Sequence, residues 1–175
     1  MKAMIEALSA QGGILAESVR PLDGHPVDAA QLSQTAASGP RAAGHQDDYE
    51  LMLEMILEGS RLHYGIPRFV RTEDPDLALL LGDELYALGL ARLAALGDLE
   101  AVSELADVIS LVAQAHAASD PGLADAIWQA GASAIGWGAS RDYAVAKALA
   151  RDQDPGAQAA LRHATVPPLR RAAVS

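Results

Sequence analysis

The chain has 175 residues, half of them apolar, with one Phe, two Trp, four Tyr and a formal charge of -10. That length suits one domain with a real core, and an apolar fraction dominated by Ala and Leu favours closely approaching helices. The acidic balance argues against a nucleic-acid partner, because neutralising phosphate needs clustered Lys and Arg. The lack of cysteine removes disulfides, thiolate catalysis and Cys-based zinc sites.

Residues 2 to 18 read as a short amphipathic helix broken at Gly12-Gly13. With one Lys, a Glu inside its apolar part and no long apolar run, it does not read as a secretory signal, and a cytoplasmic location is expected. Arg20 to Gln46 carries Pro21, Gly24, Pro26, Gly39, Pro40 and Gly44. This composition predicts a flexible linker, with a helical turn or two over Val27 to Ala37. The expected division is therefore an N-terminal helix and linker over 1–46, a helical bundle over 47–166 and a loose tail over 167–175.

Asp47-Asp48 opens a helix in which Tyr49, Met52, Leu53, Ile56 and Leu57 fall on one face. Glu50, Glu54 and Glu58 recur every fourth residue, a same-sign ridge that reads as a solvated face. Gly65 and Pro67 close the helix. Asp74 caps the next one, Pro75 suits its first turn, and Gly97 can take the left-handed conformation that stops it. Ten leucine and tyrosine positions between Leu77 and Leu96 lie around most of that cylinder. A helix apolar nearly all round wants protein on most sides, so it is placed at the centre of the bundle. Asp83, Glu84 and Arg92 within it argue against a membrane span.

Asp98 caps a helix over Leu99 to Ala117, and the short Gly97-Asp98 link makes the two an antiparallel hairpin. Asp120-Pro121 starts another, with small residues Ala130, Gly131 and Ala134 on its packing face. Trp128 and Trp137 need partners for their N–H groups if buried. Ser140 caps Arg141 to Arg151, and Asp154-Pro155 begins a last short helix towards His163. No long period-2 segment appears, so the fold class is all-α, an antiparallel helical bundle.

No phosphate loop, nucleophile elbow or zinc-protease motif is present, and no Glu is followed three residues later by His. His25, His45, His63, His116 and His163 are scattered and read as surface or helix-end residues. No catalytic residue and no metal ligand set is assigned. Asp83 keeps two readings. It lies on the wet seam of its helix, or it points into the bundle and pairs with Arg61 or Arg68.

The run LLLGDELYALGLARLAALGDLEAVSELADVISLVAQ, with Gly82-Asp83, Tyr86, Ala87, Ala91 and Gly97-Asp98, resembles the central helix pair of the trans-isoprenyl diphosphate synthases, the polyprenyl synthetase family. Gly65 and Pro67 match the basic segment before that pair, while His63 and Tyr64 stand where it carries arginines. The likeness runs from about Asp48 to Ala117. The family's chemistry uses two Asp-rich clusters that hold Mg²⁺ on an allylic diphosphate. Here Met55, Ile56 and Leu57 stand in place of the first, and the downstream acids are isolated. The resemblance implies a partly terpenoid-synthase-like, non-catalytic subunit linked to isoprenoid biosynthesis, pairing with itself or with a catalytic prenyl synthase homologue. Arg61, Arg68, Arg71 and Asp83 are then the candidate ligand contacts, with Mg²⁺ involved only if a diphosphate is still bound. The alternative is an unrelated acidic helical interaction module without a ligand. The least favoured reading is a complete enzyme joining Asp83 to Glu50 or Glu54 around a metal.

Overall fold

The computed structural model describes residues 2–20 and 28–165. Its described residues form nine α-helices and one 3-10 turn, with no strand. The helices are α1 (Lys2–Gln11), α2 (Gly13–Glu17), α3 (Asp28–Ala37), α4 (Gln46–Tyr64), α5 (Pro75–Ala95), α6 (Leu99–Ala117), α7 (Pro121–Trp137), α8 (Arg141–Arg151) and α9 (Ala157–Ala164). The 3-10 turn, Pro40–Ala42, leads from α3 towards α4.

Local chemistry sets the boundaries. Asp74 accepts hydrogen bonds from the Asp76 and Leu77 N–H groups, Asp98 from Ala101, Asp120 from Leu123, and Ser140 from Tyr143. Each satisfies donors that the first turn of a helix leaves unpaired. Gly97, at φ +80°, turns the chain from α5 into α6.

The centre of the bundle is α7. Twelve of its seventeen residues are buried, and it touches α3, α6, α8 and α9. Its small residues permit this. A Cβ on Gly136 would sit 2.1 Å from the Ala36 carbonyl oxygen, so α3 and α7 meet backbone to backbone. The Trp137 indole N–H donates to the Thr35 carbonyl across the same contact at 3.2 Å.

Helix α5 does not occupy the centre that its leucines suggest. Only five of its twenty-one residues are buried. It lies along α4 at the edge of the bundle and touches α6 lightly. The inner side is lined by glycine: a Cβ on Gly59 would stand 2.8 Å from the Gly82 oxygen, and one on Gly89 would stand 2.5 Å from Ile56 Cγ1. On the outer side Leu79 and Leu80 remain 45% and 65% exposed. The apolar residues are numerous, but neighbours lie on one side only.

Residues before position 47 also contribute to the cores. Met4, Leu8 and Leu15 are buried in a second core with Met55, Phe69, Val70, Leu81 and Leu85. Ala36 and Ala42 enter the larger core that spans α3 to α9. The described part of residues 1–46 is thus integral to the bundle, because α1 and α2 cover the apolar side shared by α4, α5 and their connection. Pro21, Gly24, His25 and Pro26 of the expected linker lie outside the described residues, as does the 167–175 tail.

Candidate functional site

Among the described residues, the buried charged side chains Glu54, Glu58 and Arg68 gather around the C-terminal half of α4 and the connection that follows it. Glu58 is 0% exposed, and its Oε1 accepts hydrogen bonds from the N–H groups of Arg68, Phe69 and Val70 at 2.7, 2.6 and 3.0 Å. Hydrogen bonds to an ionised acceptor are short and strong, so one carboxylate fixes the path of the chain between α4 and α5. Its Oε2 lies 3.6 Å from Arg61 Nη1, an ion pair too long for a hydrogen bond. Burial pushes the Arg61 guanidinium down from its ordinary value; nearby Glu58 opposes that shift and Arg68 adds to it.

One turn earlier, buried Glu54 accepts from the Ser33 hydroxyl at 3.1 Å and stands 3.6 Å from Arg68 Nη1. The Arg68 guanidinium lies over the Phe69 ring, 5.0 Å from its centroid. Two carboxylates and two guanidiniums therefore balance inside the protein, which avoids an uncompensated buried charge. The same connection is held from its other edge. Arg20 N–H donates to the Phe69 carbonyl at 2.7 Å, and Arg71 N–H donates to Ser18 at 2.9 Å, around an isolated antiparallel bridge between Val19 and Val70.

The glutamate ridge is thus not a solvated face: Glu54 and Glu58 turn inward and Glu50 is half-buried. The reason is non-local, since their donors come from α3 and from residues 68–70. Arg61 and Arg68 are engaged by these carboxylates, whereas Arg71 is exposed. Of the four proposed contact residues, Arg61 and Arg68 lie near one another among these carboxylates.

Asp83 lies on the wet seam. Its side chain is 69% exposed and faces His63 Nε2 at 3.1 Å, without pairing to Arg61 or Arg68. The His63 ring stacks on Tyr86 with centroids 5.4 Å apart, and Tyr64 stacks on His116 at 4.3 Å. The end of α4 is therefore wedged between α5 and α6 by rings. Burial pushes the Tyr86 phenol up to about 12, although a hydrogen bond with Ser60 acts the other way.

Two further polar networks join helices. Tyr49 and Arg41 both hydrogen-bond to Asp98, and Arg41 also reaches Glu100 at 2.9 Å. Burial would raise Asp98, but hydrogen bonds from Tyr49, the Ala101 N–H and Arg41 hold it below the ordinary carboxylate range. Burial and the Asp98 contact push the Tyr49 phenol up to about 12. Between α6 and α8, Tyr143 donates to Glu104 at 2.6 Å while Lys147 bridges Glu104 and Asp107 at 2.7 and 2.8 Å. Asp107, which burial would raise, is held low by Lys147 and Arg151.

Among the described residues, no three His, Asp or Glu side chains are grouped to hold a metal ion, and no helix is long and apolar enough to cross a membrane. What the arrangement offers is a braced bundle in which the outer side of α5 leaves the neighbouring leucines Leu79 and Leu80 exposed. No protein-family model, curated protein or solved structure matches this chain.

Proposed function

We infer that this chain is a non-catalytic helical subunit that acts by docking another protein against α5. The observation that carries the reading is the open outer side of α5, where Leu79 and Leu80 are uncovered on a helix whose other side is closed onto α4. Exposed apolar positions rimmed by polar residues mark interaction surfaces. The polyprenyl-synthetase resemblance of the α5–α6 hairpin supplies the partner class, a catalytic prenyl synthase homologue. The edge position gives α5 a partner-facing role in such an assembly. Co-expression with a full-length polyprenyl synthase tests this. A co-eluting complex with altered product chain length is expected; no complex and unchanged products would overturn the link to isoprenoid biosynthesis.

The second reading is an acidic interaction module with no ligand. It is favoured by the engagement of Arg61 and Arg68 with Glu58 and Glu54, which turns these guanidiniums away from a diphosphate. It predicts no thermal shift with an allylic diphosphate plus Mg²⁺. A shift lost in Arg71→Ala would instead favour a retained diphosphate site.

A further inference from the structure

The connection between α4 and α5 is built like a receptor for one carboxylate. Three successive N–H groups, of Arg68, Phe69 and Val70, converge on Glu58 Oε1 at 2.7, 2.6 and 3.0 Å. Successive backbone donors turned towards one point make an anion-binding concavity. The other oxygen is less well served. Glu58 Oε2 stops 3.6 Å from Arg61 Nη1. Among the described residues, both of these atoms and Arg68 Nε are buried without a hydrogen-bond partner. The tethered carboxylate thus reaches the backbone trio and falls short of the guanidinium. Charge sets the sign of the occupant. Glu54 faces Arg68 at 3.6 Å, so without Glu58 these four side chains carry one uncompensated positive charge. Shape narrows the choice further: one planar group must meet the N–H trio with one oxygen and the guanidinium with the other. A halide has a single centre, and a sulfate exceeds the room left by one carboxyl arm that is 0% exposed.

We propose that residues 68–70 and Arg61 form a carboxylate-binding site that the chain fills with its own Glu58, and that a free small carboxylate occupies it when that side chain is cut back. A free ion is not held by Cγ and settles between both sets of donors. Its binding orders more than its own contacts. The Phe69 carbonyl accepts from the Arg20 N–H and the Arg71 N–H donates to the Ser18 carbonyl, so filling the site also seats the segment that follows α2.

The full-length Glu58→Ala chain keeps Cβ and frees the space of Cγ and the carboxyl group, which suits formate. Its unfolding would be followed in sodium formate, in sodium chloride, and in sodium chloride with formamide, a planar neutral molecule of the same size. At about 0.1 M, formate is expected to raise the folding equilibrium constant about tenfold over chloride, as a site with a Kd of about 10 mM gives. Amide exchange at Arg68, Phe69 and Val70 should slow by a similar factor, and the gain should saturate. Formamide should add nothing. The unaltered chain and Glu54→Ala, in both of which Glu58 still fills the site, should not distinguish formate from chloride. Equal gains with chloride or formamide would overturn the proposal, and so would a gain of the same size in either of those two chains. A Glu58→Ala chain that stays unfolded in formate overturns it as well. A second measurement needs no substitution: NMR scalar couplings across the hydrogen bonds, from the three amide nitrogens to the Glu58 carboxyl carbon, are expected. Their absence would show that the donors do not converge on the carboxylate, and the proposal falls with them.

Discussion

Helices α5 and α7 are both rich in apolar residues, yet one lies at the edge and the other at the centre. The difference is in size. Helix α7 is built of Ala and Gly around Ile127, Trp128 and Ile135, so several helices reach its backbone at once. Helix α5 is built of Leu, which crowds neighbours away except where Gly59, Gly82 and Gly89 let α4 approach. Centrality in an Ala/Leu-rich bundle follows room for neighbours as well as hydrophobicity. The two helices are also secured differently. Packing on several sides holds α7, whereas α5 is held on one side by α4 and by the anchored connection before it.

The strongest way to break this comparison is Glu58→Ala. It removes the acceptor from three buried N–H groups and leaves Arg61 without its ion pair, and should cost about 3–5 kcal/mol in denaturant unfolding. Hydrogen exchange should rise first at residues 68–70. A loss below about 1 kcal/mol would show that α5 does not need the anchor. Gly136→Ala tests the opposite helix. With no room between α3 and α7, the added methyl should cost about 1–3 kcal/mol, and a neutral result would mean that the two backbones separate freely.

Acidity and alkalinity sharpen the picture further. Asp98 and Asp107 are held low in the folded protein, so their contribution is present above the unfolded carboxylate value near 3.9 and is lost as pH falls below it. Tyr49 and Tyr86 are raised to about 12, so their contribution is present below about pH 10 and is lost between 10 and 12. Melting temperature should therefore fall at both ends, and the Asp98→Asn variant should flatten the acid limb. The smallest effect belongs to Leu80→Ala on the outer side of α5. It should stay within about 0.5 kcal/mol, since little is buried there, and a larger loss would place Leu80 in a core.

Much of the architecture was legible from residue types alone. Asp74, Asp98, Asp120 and Ser140 announced helix starts, Gly97 a turn, and the absence of alternation an all-α chain. These signals are local, each settled within one turn of chain. The fate of Glu58 was not legible, because its three donors lie beyond Gly65 and Pro67 and their geometry depends on the whole connection. The four-residue recurrence of Glu50, Glu54 and Glu58 looked like a wet ridge for that reason. The spacing of Glu58 and Arg61 by three residues was the available hint that one glutamate had a partner. Met4 and Leu8, also one turn apart, hinted that α1 has a buried side, although the Gly- and Pro-rich stretch after it argued for separation. For the candidate site, the wet seam was one of two readings the sequence left open for Asp83, while the engagement of Arg61 and Arg68 required the third dimension.

The pairing of residues 18–20 with 69–71 has a consequence for biosynthesis. Helices α1 and α2 leave the ribosome before the stretch around Phe69 and have nowhere to settle until it follows them out. Until then Met4, Leu8 and Leu15 face water, a period in which a chaperone could bind them or another nascent chain could capture them. Slowing translation before that stretch should lower the yield of native protein, and a chain to which α1 and α2 are supplied separately should mature without that delay.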